Sequence, residues 1–157
     1  MITLHARMDS SASSAMALVG ALAVAAVAAV VDARTGRLPN RLVGLVAGAG
    51  LLAAIMAPLP GPGLLAASAG AAGFAGPLLL THLAAPRAIG FGDVKFAAAL
   101  GLVIGRLDPR SGVFALCVAT GVTAFVGLAT RRDTVPLGPG LATGAVVTAL
   151  LAGSVGA

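Results

Sequence analysis

The sequence predicts an all-α polytopic membrane protein, a bundle of six transmembrane helices. Three observations carry that prediction. Of 157 residues, 59% are apolar, and the mean hydropathy is +1.05. The apolar residues gather into six runs, roughly 15–31, 42–57, 63–84, 94–105, 112–130 and 138–155, with short polar breaks between them. None of these runs carries the polar face that an amphipathic helix of a soluble protein presents to water. Six spans of about 20 residues occupy roughly 120 residues, which leaves little chain for a soluble domain. Helices are the expected form because lipid offers no hydrogen-bond partners and a helix satisfies its own backbone.

The elements follow in order. Residues 1–14, with His5, Arg7 and Asp9, are expected to form a disordered N-terminal tail, and residues 15–157 a single membrane domain. The start resembles a secretory signal, since Arg7 and a Ser-rich stretch precede an apolar run with small residues such as Ala26 and Ala28. That run is long for a signal and five more follow, so a retained first helix is expected, ending at Asp32. Thr35-Gly36 and Pro39 are turn formers, and Asn40 is the expected N-cap of the second span. The fourth span is short, with Lys95 in its first turn, which implies a tilted or sunken helix or a thinned bilayer. Cys117, the single cysteine, excludes an intramolecular disulfide and a CxxC metal site, and is expected as a small core residue of the fifth span. The glycine pairs Gly44/Gly48, Gly101/Gly105 and Gly140/Gly144 each sit one turn apart and permit close helix contact.

Basic residues orient the spans. The breaks after spans 1, 3 and 5 hold Arg34, Arg37 and Arg41, then Arg87 and Lys95, then Arg131 and Arg132, against Arg7, Arg106 and Arg110 on the other side. Lysine and arginine concentrate on the cytoplasmic side, so both termini are expected outside and the three charged breaks inside. The net charge of +5 is thus an orientation signal with some attraction to anionic lipid. A nucleic-acid partner is a poor explanation, because the charges lie in short loops without a binding motif.

The five carboxylates are all aspartates, and two stand at the edges of apolar runs: Asp32 in VVDARTGRLPN and Asp93 in GFGDVKF. An ionisable group at such a place is a functional-site hypothesis by default. Two complete crossings separate Asp32, which ends span 1, from Asp93, which begins span 4. Both acids therefore belong on one membrane face, and by the same parity so do Pro136 to Pro139 at the start of span 6. Two carboxyls about one water apart share a proton: one acts as base on the water while the other polarises a peptide carbonyl. Gly90 and Gly92 lack a Cβ and let a backbone or substrate strand approach Asp93.

GFGDVKFAAALG at 90–101 resembles the GxGD motif of the type IV prepilin peptidases, membrane-embedded aspartyl proteases. DARTGRLPN at 32–40 resembles that family's first-aspartate loop, and VPLGPGLATGA at 135–145 its C-terminal proline–glycine motif. The resemblance covers about residues 15–155 in the family's order. It implies cleavage of basic leader peptides from prepilins or pseudopilins at the cytoplasmic face of the inner membrane, with Asp32 and Asp93 as the catalytic pair. Gly90, Gly92, Lys95, Pro39, Asn40, Pro136, Gly138 and Pro139 form the supporting motifs. No cofactor and no metal are implied. Long members of the family carry an N-terminal extension with paired cysteines and also methylate the new N-terminus. The likeness here is to the short form, and methyltransferase activity is not expected.

The other polar residues have plainer explanations. Lys95 lies about 200° round a helix from Asp93, so snorkelling is favoured over pairing. Arg34, Arg37 and Arg41 would repel a basic leader and serve better as orientation signals. His82 stands alone near the end of span 3, a poor basis for a metal site. Asp108 is an expected turn former and Asp133 a solvated loop charge. The competing function is a small transporter or proton-conducting channel, since intramembrane carboxylates and helix-breaking glycines occur there too. Transport sites sit near the midplane, whereas both acids are expected at one face. An inactive pilus assembly factor is disfavoured by the presence of both aspartates.

Overall fold

A computed structural model describes residues 2–36, 38–55, 63–131 and 135–155. Six helices follow one another: α1 (Ile2–Thr35), α2 (Asn40–Ile55), α3 (Gly63–Ala84), α4 (Phe91–Ile104), α5 (Ser111–Thr130) and α6 (Gly138–Val155). Among the described residues there is no strand. In α1, α3 and α5 the apolar stretch is long enough to cross a membrane, while α2 and α6 are shorter apolar helices. The chain is an all-helical membrane protein, as its composition predicts.

The helices form a ring of five around one. Going round, α1 touches α2, α2 touches α3, α3 touches α5, α5 touches α6 and α6 returns to α1, while α4 touches all five. This arrangement explains the short fourth span. Eight residues of α4 are buried, from Val94 to Ile104, and Phe96, Leu100 and Ile104 are among the largest fully buried side chains. A helix wrapped by protein is free to be apolar on all sides and has no lipid thickness to match. Large apolar side chains stand outward on the surrounding helices, Leu65 of α3 at 85% exposure and Phe125 and Leu128 of α5 at 71% and 81% among them.

Close approach at small residues holds the ring to its centre. Gly101 of α4 and Gly105 just after it lie against the backbone of α3 at Gly70, Ala71 and Ala66, and Gly140 and Gly144 of α6 lie against Ala115, Ala119 and Thr123 of α5. Both pairs therefore act as packing seams. The third expected pair does not. Gly44 and Gly48 are exposed with nothing within 4 Å of an added Cβ. The buried face of α2 runs instead through Val43, Val46, Gly50 and Ala54, and Gly50 is the glycine that meets α4 at Val103.

Three other expectations are corrected. The N-terminal residues continue α1 from Ile2, because no Gly or Pro interrupts the helix before Gly20. Asn40 is the first helical residue of α2 and not its cap. The carbonyl of Pro39 accepts the first two bonds, from the N–H groups of Leu42 at 3.0 Å and Val43 at 3.2 Å, so the cap position is Pro39. Cys117 is exposed, because α5 turns Ser111, Gly112, Ala115 and Ala119 inward and Cys117 falls on the other face.

Candidate active site

Asp32 lies one turn before the end of α1. The helix stops at Thr35, and Gly36 follows with φ +63°, the left-handed conformation that glycine adopts at a helix C-terminus without a Cβ penalty. Its N–H donates to the carbonyl of Asp32 at 2.7 Å. The chain leaves α1 at this point, so the Asp32 side chain stands at the mouth of the bundle and not along its wall.

The side chain is fixed from the far end of the chain. Asp32 is only 6% exposed, and its Oδ2 accepts a hydrogen bond from the Gly138 N–H at 3.2 Å. Gly138 opens α6, where the first N–H groups have no partner within the helix and the dipole is positive. The fit excludes a side chain at Gly138, because a Cβ there would overlap the Asp32 carboxylate. Pro139 is the second residue of α6, where a missing N–H costs nothing, and the carbonyl of Leu137 accepts the N–H of Leu141 at 3.0 Å to start the helix.

Asp93 is the third residue of α4, one turn past Gly90, whose carbonyl accepts the Asp93 N–H at 3.1 Å. Gly90 has extended backbone, and a Cβ there would come 3.4 Å from Asp93 Oδ2. At Gly92 a Cβ would meet only Leu38, at 3.7 Å. Neither glycine is demanded by protein packing, and neither is among the lining residues of the cavity that Asp93 faces.

Asp32 and Asp93 line one cavity of about 660 Å³. Its wall includes Ala33 and Gly36 from the end of α1, Leu78 of α3, Ala88 and Ile89 before α4, and Val135, Pro136 and Leu137 before α6. The end of α1, the start of α4 and the residues just before α6 converge on this cavity. Pro39 and Asn40 are not among the cavity's lining residues and act at the start of α2.

Two lining residues escaped the sequence reading. Thr120 and Thr123 of α5 face the cavity. Their hydroxyls donate to their own helix, Thr120 to Leu116 O at 2.8 Å and Thr123 to Ala119 O at 2.8 Å, which satisfies them inside an apolar span. The signal was present as two threonines three apart in an otherwise apolar helix.

The segment between α3 and α4 is pinned close by. His82 Nδ1–H donates to the Ile89 carbonyl at 2.8 Å, and its ring lies 5.4 Å from that of Phe91. Lys95 is exposed with its ammonium 4.9 Å from the centre of the Phe91 ring, a cation–π contact turned away from Asp93. Arg34 and Arg41 are exposed and do not line the cavity, while Arg37, Arg132 and Asp133 lie outside the described residues. Asp108 forms the expected turn, its Oδ1 accepting the Arg110 N–H at 2.6 Å.

Comparison with curated proteins and with solved structures finds no match. The sequence model of the type IV leader peptidase family matches residues 18–131, a stretch that includes both aspartates and ends before the Pro136–Pro139 segment. With most of its length matched in this way, the chain belongs to the type IV leader peptidase family.

Proposed function

We propose that the protein is an aspartic endopeptidase of the inner membrane that removes basic leader peptides from prepilin or pseudopilin-like substrates, with Asp32 and Asp93 as its catalytic pair. The observation that carries this is the meeting of two scarce carboxyls, from helices 61 residues apart in sequence, in one cavity. Water bound between them attacks the scissile carbonyl carbon. Its proton passes to the ionised carboxyl while the protonated carboxyl gives its proton to the carbonyl oxygen. As the resulting diol collapses, one of its hydroxyls gives its proton to the ionised carboxyl, the C–N bond breaks, and the amine departs with the proton of the other carboxyl, so the dyad again holds one proton.

The position of the cavity supports the substrate class. It opens at one end of the bundle, where a leader outside the bilayer joins an apolar helix within it. The basic residues in the breaks after spans 1, 3 and 5 favour the cytoplasmic side for that end. A transporter would place its acids near the midplane, whereas here they stand at helix ends.

The experiment is co-expression with a prepilin-like chain carrying a basic leader. The expected outcome is leader removal by the natural protein and loss of at least about 10³-fold in rate for both Asp32→Asn and Asp93→Asn. Cleavage that survives either substitution would show that the pair is not the catalytic dyad.

A further inference from the structure

The dyad cavity continues along the side of the bundle. A second cavity of about 390 Å³ shares Ala33, Thr123, Val135 and Pro136 with it. A third, of about 330 Å³, lies between α1 and α6 and shares Ala33, Pro139 and Thr143 with the second. Ala33, one residue past Asp32, belongs to all three. Among the described residues α1 and α5 do not touch, and α6 lies between them. The cavities therefore form a groove floored by α6 and flanked by α1 and α5. From Ala33 to Ala26 along α1 it extends about 10 Å, or two helical turns, from the level of the aspartates.

The chemistry of the groove selects its occupant. No charged residue lines the second or third cavity. The hydroxyls of Thr143 and Thr123 donate to Pro139 O and Ala119 O, each at 2.8 Å, so they ask nothing of a ligand. Ala29, Ala33, Gly140 and Ala142 keep the surface low, which admits the backbone of a passing helix and gains packing energy in lipid. Only the upper end, at Asp32 and Asp93, is acidic. A chain with a basic segment followed by an uncharged helix matches this polarity along its length.

We propose that the apolar helix of the substrate docks in the groove over α6, beside α1 and facing α5, and delivers the bond at its end to Asp32 and Asp93. This rests on the leader-peptidase function proposed above. The helix enters sideways from lipid, so neither the core nor α4 has to open. The substrate's first two turns after the cut lie against Ala26 to Ala33 on one side and Pro139 to Val146 on the other. Specificity for small or slender residues in those turns follows from the low floor.

Photo-crosslinkers at Ala26 and Val146 in the groove, and at Leu52 of α2 and Leu80 of α3 on other exposed faces, test the placement in vesicles. The background is Asp93→Asn, which holds the substrate uncut, and the probe is a prepilin-like chain with leader and helix. Groove positions are expected to crosslink the substrate helix about tenfold more than Leu52 and Leu80. With both aspartates intact, Thr143→Leu, at an exposed position, should raise KM for the helix-bearing substrate about tenfold more than for a short leader peptide without the helix. Equal crosslinking at all four positions, or none in the groove, overturns the docking site while leader cleavage by the natural protein stands. Failure of the natural protein to cut the same substrate overturns the function itself, and the docking site with it.

Discussion

Replacing Gly138 with alanine puts a methyl group where the Asp32 carboxyl already stands. The new Cβ would lie 3.0 Å from Asp32 Cγ and 3.1 Å from its Cβ, and would overlap the nearer carboxylate oxygen. Carbon pairs relax at about 3.5–4.0 Å, so α6 and the Asp32 side chain must part by about 0.5–1 Å. The 3.2 Å bond from the Gly138 N–H is lost in the process. Misplacing a reacting group by about 1 Å costs ~10²-fold in rate, equivalent to about 2.7 kcal/mol of barrier. The expected result for Gly138→Ala is a kcat lower by about two orders of magnitude with KM little changed, since the groove for the substrate helix is untouched. Detergent-purified protein and a prepilin-like substrate, followed by gel mobility and intact mass, give both constants. Thermal unfolding of the same preparation checks that the helices remain assembled. A folded Gly138→Ala protein with kcat within about twofold of the original would refute the claim that α6 positions Asp32.

Other glycines separate backbone strain from packing. Gly36→Ala meets nothing within 4 Å but carries φ +63°, so it should cost about 1 kcal/mol in unfolding experiments, whereas Gly44→Ala, in open space within a helix, should gain up to about 1 kcal/mol. Gly101→Val drives its Cβ to 2.5 Å from Ala71 Cα of α3 and should lower Tm and the yield of folded protein, with overpacking of at least about 1–3 kcal/mol. With Cys117→Ala as background, Arg34→Cys and Arg87→Cys should react with a membrane-impermeant maleimide only from the cytoplasmic side, and Asp108→Cys only from the outside. Labelling of Arg34→Cys and Arg87→Cys from opposite sides would contradict their common face.

The spans were legible because their signal is local: long apolar runs, and Pro or Gly where they end. The same holds for the common location of Asp32, Asp93 and Pro136, which needed only a count of crossings. Contacts between helices left no such trace. Gly44/Gly48 and Gly101/Gly105 have the same spacing, yet only the second pair faces a neighbour, because the buried face of α2 is set by α4 and not by α2 itself. Thr120 and Thr123 were overlooked for a related reason, since each satisfies its hydroxyl within α5 and looks inert in sequence. The short α4 reads in sequence as a tilted or sunken helix or a thinned bilayer, while that it is the helix the other five surround depends on contacts the sequence does not display. What Gly138 does was also invisible, because its partner lies 106 residues away.

That last separation bears on when the protein becomes active. Translation and insertion proceed from the N-terminus, so both acids enter the membrane while the strap that steadies the first of them is still unmade. Until the final helix docks, Asp32 lacks the Gly138 N–H that holds it, so on the function proposed above a chain cut short before α6 should show no leader cleavage.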